Sequence, residues 1–197
     1  MFTTLDNPTF FNHLRTSLRT RFDDEQVLAI KLLLAEADRH GVTDKNQMAY
    51  ILGTCWHESG FKSVPERRSK KVGSQLWKWQ QRYFPQGWYG RGFSQLTWRK
   101  NYLKFSPIVG VDLVANPDAA LKPQIGAKIL VYGMVNGTFV SAGLSSPTRL
   151  SRYFPPNETP DWIGARRIVN GTFMAQDVAE KSVRILAAIV ASLPPVA

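Results

Sequence analysis

Asp44-Lys-Asn-Gln-Met-Ala-Tyr-Ile-Leu-Gly-Thr-Cys-Trp-His-Glu-Ser-Gly60 is the stretch that decides the fold class. Thr43 or Asp44 is placed to cap a helix, and Gln47, three residues after Asp44, has the spacing of a capping box. Met48, Ile51, Leu52 and Cys55 then recur at helical spacing, and Gly60 marks the stop. The helix delivers Trp56, His57 and Glu58 to its C-terminal end, where a carboxylate meets the negative end of the backbone dipole.

Outward from this segment the helical signals continue. Phe10, Phe11, Leu14 and Leu18 share a side between Pro8 and Thr20. Asp23 and Asp24 offer a cap for a second stripe, Val27, Ile30, Leu34 and Ala37, which ends near His40-Gly41. Pro123 and Gly137 bracket a further helix over 123–136. The last is expected from about Phe173 to Ser192, with Val178, Ile185, Leu186 and Ile189 inward and Pro194-Pro195 as its stop. Strand-like alternation is weak and no repeat is visible. The prediction is a mainly α chain, a single domain over residues 1–197, with at most a small β-hairpin. Within it, 1–21 reads as an N-terminal helical extension and 22–193 as the core.

Residues 62–102 have no sustained period. They are rich in Gly, Ser, Gln, Arg and aromatic residues, and a loop-rich stretch of that length inside a domain is usually functional. The charge is concentrated there. The chain has 25 Lys plus Arg against 15 Asp plus Glu, a net +10. Between Ser59 and Phe105 eleven bases face one acid, Glu66, so this window holds the entire net charge. An anionic partner follows from that distribution. The hydrophobic fraction of 44% is enough for a packed core, which excludes a disordered chain. No secretory signal is visible at the N-terminus, and no apolar run approaches the roughly 18 residues of a membrane span. A soluble, cytosolic origin is expected.

Several chemistries fail on the sequence. His57-Glu58 lacks a second histidine four residues on, and His13, His40 and His57 are spaced for no shared metal, so neither metal nor cofactor is expected. The single cysteine, Cys55, excludes an intramolecular disulfide and lies on the apolar stripe, where a thiol is structural. No serine sits in a nucleophile elbow and no phosphate-binding loop is present. Two carboxylates remain. Glu58, beside Trp56 and Phe61 at a helix end, has surroundings that disfavour its ionised form and suit a general acid. Glu66, among Arg67, Arg68, Lys70 and Lys71, has surroundings that favour ionisation and suit a base. Such a pair is the arrangement expected for glycosidic bond hydrolysis. From the residues alone, Glu58 also reads as a helix-end residue exposed to solvent, and Glu66 as half of a surface ion pair with Arg67.

Two longer strings carry a resemblance. Trp56-His-Glu-Ser-Gly-Phe61 and Trp88-Tyr-Gly-Arg-Gly-Phe-Ser-Gln-Leu-Thr-Trp-Arg-Lys-Asn-Tyr102 are similar to the signature segments of family 19 glycoside hydrolases. That family comprises chitinases and chitinase-like bacteriophage endolysins of lysozyme-like fold. Asp112-Leu-Val-Ala-Asn-Pro-Asp118 and Ala165-Arg-Arg-Ile-Val-Asn-Gly171 resemble the segments that follow in the endolysin branch. The resemblance runs in order from about Val27 to Leu193. It implies Glu58 as general acid, Glu66 as the carboxylate that activates water with inversion, and Thr97 as a hydroxyl that helps hold the water. Gln95, Asn101 and Asn170 fall at sugar-binding positions, with Tyr102 and His57 as further candidate contacts. Arg91 and Arg166 or Arg167 are candidates to pair with the carboxylates, Arg91 reading equally as a structural arginine in a tight turn. Trp88, Tyr89 and Trp98 read either as sugar-stacking or as core residues, and Trp77 and Trp79 receive no role.

The resemblance further implies bacterial peptidoglycan as substrate, specifically the N-acetylmuramic acid–N-acetylglucosamine backbone, within an anionic cell envelope. It implies a monomer made in the host cytoplasm that reaches the periplasmic wall after holin-mediated release. No wall-binding module and no nucleic-acid partner are expected. The alternatives are a chitinase acting on N-acetylglucosamine polymers and a non-catalytic basic protein that binds cell wall or nucleic acid.

Overall fold

The computed structural model describes residues 2–139 and 148–193, and the proline stop expected at 194–195 lies outside them. Eight α-helices and three short 3-10 turns account for the regular structure of the described residues. The helices are α1 (Pro8–Leu18), α2 (Asp24–Arg39), α3 (Lys45–Ser59), α4 (Gln75–Gln80), α5 (Arg99–Val109), α6 (Pro123–Asn136), α7 (Leu150–Tyr153) and α8 (Ala175–Ser192). Strand pairing among them is limited to isolated bridges joining Pro65 to Arg91 and Arg91 to Leu96. The chain is therefore mainly α, as predicted. No helix of the described residues is long and apolar enough to cross a membrane.

Helix α3 is the centre of the packing. Its expected apolar stripe is too narrow a description, because every residue from Met48 to Cys55 is buried. A helix covered on all sides has no solvent face to show in its sequence. It packs along α8, α1 covers α8, and α2 packs on α6. The closest approach of α3 and α8 depends on Gly53. A Cβ there would stand 2.0 Å from Ser182 Oγ, whose hydroxyl is turned back to donate to the Val178 carbonyl at 2.7 Å. Residues 2–21, expected as an extension, are built into the same core. Phe2, Leu5, Phe10 and Leu14 are fully buried in one cluster with Ile51 and Ile185.

The caps follow local chemistry with one exchange. Asp44 accepts from the backbone N–H groups of Asn46 and Gln47, but the Gln47 side chain reaches away to the Phe154 carbonyl, so the box expected there is only half made. The complete capping box is at α2. Asp23 accepts from Gln26 N–H, and Gln26 Oε1 accepts from Asp23 N–H. Helix α6 has the predicted limits, with Pro123 in its first turn and Gly137 left-handed at φ 64°. Helix α5 was not predicted: it contains Pro107 and has a polar first turn.

Gly53→Ala is expected to destabilise the protein by about 1–3 kcal/mol through overpacking of α3 on α8. Adding Ser182→Gly should recover part of that loss, and urea unfolding of the two single variants and the double reads the coupling.

Candidate active site

The loop-rich centre is organised around two strings of backbone. Glu66 N–H donates to the Gly90 carbonyl at 2.7 Å, and Gly92 N–H donates to the Val64 carbonyl at 3.2 Å. Arg91 and Leu96 exchange backbone hydrogen bonds across a tight loop. Both glycines are required. A Cβ on Gly90 would lie 2.9 Å from Gln95 Oε1 and 3.3 Å from Glu66 Cβ. Gly92, at φ 72°, would bring a Cβ to 2.5 Å from the Ala120 carbonyl oxygen. Gln95 and Trp98 hold positive φ values of 50° and 73°, a conformation costing of order 1–3 kcal/mol each for non-glycine residues. Strained backbone of this kind is held by its surroundings: Gln95 Nε2 donates to the Val64 and Gly92 carbonyls, and Trp98 N–H donates to the Trp88 carbonyl.

A cavity of about 480 Å³ opens over this loop, and both carboxylates line it. Glu58 comes from the last turn of α3. Glu66 comes from the loop beyond it, and the segment 94–98 supplies Gln95 and Thr97. Asn101 projects from the first turn of α5, while Asn170 and Phe173 come from the chain just before α8. Six of the ten candidate residues therefore share one cavity: Glu58, Glu66, Gln95, Thr97, Asn101 and Asn170. Thr97 Oγ1 donates to the Gln95 carbonyl and Asn101 Nδ2 to the Thr97 carbonyl, so the polar lining is itself cross-linked.

Each carboxylate has a distinct setting. Glu58 Oε1 lies 2.5 Å from Nη1 of Arg166, and the two side chains are 12% and 2% exposed. Arg166 also donates from Nε to the Phe173 carbonyl at 3.0 Å. It rides on a 3-10 turn, Gly164–Ile168, whose start is held by Asp161 accepting from Gly164 N–H. Of the two candidate arginines, Arg166 faces the acid and Arg167 is exposed. Trp56 and Phe61 pack on each other with ring centroids 5.4 Å apart, and the buried guanidinium adjoining Glu58 is the pairing expected of Arg166 or Arg167.

Glu66 differs from expectation in its partners. The cations Arg67, Arg68, Lys70 and Lys71 are exposed, and no ion pair joins any of them to Glu66 among the described residues. Three neutral donors hold the carboxylate instead: Gln80 Nε2 at 2.9 Å, Tyr83 Oη at 2.7 Å and Gly90 N–H at 2.9 Å. The charged side chains prefer water to a partly buried loop, while the amide and phenol of the α4 region can be packed beside it. Burial and then the hydrogen bond to Glu66 push the Tyr83 phenol well above its ordinary range, which keeps it a proton donor. Gln80 and Tyr83 carried no signal in the sequence, because their role depends on a contact 14 and 17 residues away.

Three candidates lie elsewhere. Arg91, 5% exposed, pairs with Asp118 at 2.7 Å and donates to the Gly87 and Tyr89 carbonyls, so it braces the loop and meets neither carboxylate. Tyr102 is fully buried, accepts from Arg91 and donates to the Tyr89 carbonyl, and burial pushes its phenol up to about 12. His57 is one helical step from Glu58 and so points elsewhere, to Asp177 on α8 at 2.6 Å, beside Lys181. Of the tryptophans and Tyr89 weighed in the sequence, Trp98 and Trp79 line the cavity, whereas Trp88 packs on Tyr102 and Tyr89 stacks on Phe84. Cys55 is buried, which pushes its thiol far up and leaves it structural. No cluster of three or more potential metal ligands occurs among the described residues.

Neither protein-family models nor curated proteins give a match to this chain.

Arg166→Met leaves the Glu58 charge buried without its partner and is expected to cost about 3–5 kcal/mol in chemical unfolding. The Lys181 ammonium, and after it His57, hold the Asp177 carboxyl below its ordinary value of 3.8 against the opposing effect of burial. A depressed folded-state value gives stability that is whole above the ordinary range and lost as pH falls through the folded one. Asp177→Asn should therefore lower the thermal midpoint at pH 6, and the difference from the parent protein should shrink as pH falls below the ordinary carboxylate range, as read by calorimetry.

Proposed function

We propose that this protein is a peptidoglycan-degrading glycoside hydrolase of the family 19, phage-endolysin kind. It cleaves the N-acetylmuramic acid–N-acetylglucosamine backbone by inverting acid–base catalysis. One observation carries the reading. Two glutamates held in unlike surroundings line the same cavity, together with Gln95, Thr97, Asn101 and Asn170. Carboxylates so arranged are what glycoside hydrolysis requires.

In this mechanism Glu58, ion-paired with Arg166 in the free protein, takes up a proton from solvent before the glycosidic step and passes it to the leaving oxygen. Its Oε1 is engaged by Arg166, so Oε2 is the oxygen assigned to proton transfer. Arg166 fixes the rotamer and stabilises the carboxylate left after the proton departs. Glu66 takes the proton of the attacking water. Three donors fix its plane, and Thr97 Oγ1, whose proton is donated to the Gln95 carbonyl, offers a lone pair to the same water. The amides of Gln95, Asn101 and Asn170 supply the donors and acceptors that N-acetyl and hydroxyl groups demand. Access to the wall is assigned to a separate membrane-permeabilising protein, acting for an enzyme made in the host cytoplasm.

Purified protein is expected to lyse outer-membrane-permeabilised Gram-negative cells, and Glu58→Gln to lower the rate by about 10²–10⁴-fold. NMR of freshly released reducing ends should show the inverted anomer. Undiminished lysis by the Glu58→Gln protein would remove this mechanism.

A further inference from the structure

A second, more open depression of about 410 Å³ lies on α4, formed by Gln75, Lys78, Trp79 and Arg82. Trp79 also lines the catalytic cavity, so its ring is the wall common to both. The two hollows have opposite electrostatics. The charged residues lining the first are Glu58 and Glu66, both acidic, and those lining the second are Lys78 and Arg82, both basic. Neither cation is paired with an acid among the described residues.

Arg82 is held for use at its edge. Its guanidinium lies 4.6 Å from the ring centroid of Trp79 and 5.8 Å from that of Trp98, and those rings are themselves packed edge to face. Stacking on an aromatic face fixes the guanidinium plane while leaving its N–H fork free for a carboxylate. Lys78 adds an exposed second charge one residue from the shared ring.

We infer that the Lys78–Arg82 groove is a subsite for carboxylate groups carried by the glycan, and that it selects a carboxylated glycan over a neutral N-acetylglucosamine polymer. This rests on the glycosidase reading above and deepens it. A ligand crossing both hollows must be uncharged beside Glu58 and Glu66 and anionic beyond Trp79. Peptidoglycan has that pattern, with neutral sugar rings and carboxylates on the lactyl and peptide substituents of alternate sugars. A phosphate backbone, charged at every unit, would set like charges against the two glutamates. Chitin would leave the groove empty.

Binding is best measured by titration calorimetry in full-length protein carrying Glu58→Gln, so that turnover is stopped. The ligands are soluble peptidoglycan glycan fragments, the same fragments with carboxyls amidated, an N-acetylglucosamine oligomer of equal length, and single-stranded oligodeoxythymidine. Lys78→Gln with Arg82→Gln is expected to weaken the intact fragments about tenfold, the size expected of two exposed ion pairs. Amidation should cost the unsubstituted groove a similar factor, and the neutral oligomer should bind both proteins alike. Added salt should remove the difference. Equal weakening of the neutral oligomer, or no weakening of the intact fragments, overturns the carboxylate subsite and leaves the glycosidase reading standing. Binding of oligodeoxythymidine tighter than the fragments overturns it in favour of a phosphate polymer. Failure of the unsubstituted groove protein to bind any glycan overturns both readings together.

Discussion

The buried pair of Glu58 and Arg166 is the constraint on which the site depends. A carboxylate in the last turn of a helix whose middle is buried on every side requires a partner, and removing water from either charge alone costs several kcal/mol. The partner comes from more than a hundred residues away, on a 3-10 turn capped by Asp161. Arg166 then reaches the Phe173 carbonyl, just before α8. One side chain thus joins the end of α3 to the start of α8, and His57, Asp177 and Lys181 form a second tie between those helices. Glu58 is placed by this double fastening and by the Gly53–Ser182 contact further along the same helices.

The second carboxylate is positioned by a different principle. Glu66 is gripped by neutral donors from α4 and from the Gly90 turn, so the exposed cations around it in sequence are left free to act at a distance. The strong local charge does not hold Glu66 in place. It leaves nine exposed Lys and Arg side chains between residues 67 and 104, while the other two bases of the window, Lys62 and Arg91, are paired with Asp23 and Asp118. The groups that fix Glu66 and the groups that carry the exposed positive charge are therefore different residues.

Much of the helical frame was legible because local chemistry marks it. Pro123 and Gly137 bounded α6 to the residue, since proline is suited to a first turn and glycine to a left-handed end. Helix α5 was not legible, because it starts at a strained Trp98, has no capping side chain and includes Pro107. The capping box was assigned to Asp44 and Gln47 from spacing; Gln47 has a competing acceptor in the Phe154 carbonyl, a contact that spacing cannot show. In the site, residues at intervals along one loop, such as Gln95, Thr97 and Asn101, were readable as a group. His57, Arg91 and Tyr102 were misplaced because a neighbouring position in sequence does not set the direction of a side chain. Gln80 and Tyr83 were invisible because their value lies wholly in the tertiary contact with Glu66.

The burial of the first helix has a consequence for rearranging the molecule. Helix α1, with Phe10 and Leu14, packs on α8, and the turn before it, with Phe2 and Leu5, packs on α2, so the chain from residue 2 onward is structural material. A transplant that begins at about Val27, where the resemblance begins to be readable, would carry every motif and leave uncovered the side of α8 on which α1 packs. The recognisable part of such a protein and the part that must travel with it are different lengths, and a chimera should be joined ahead of the first buried phenylalanine.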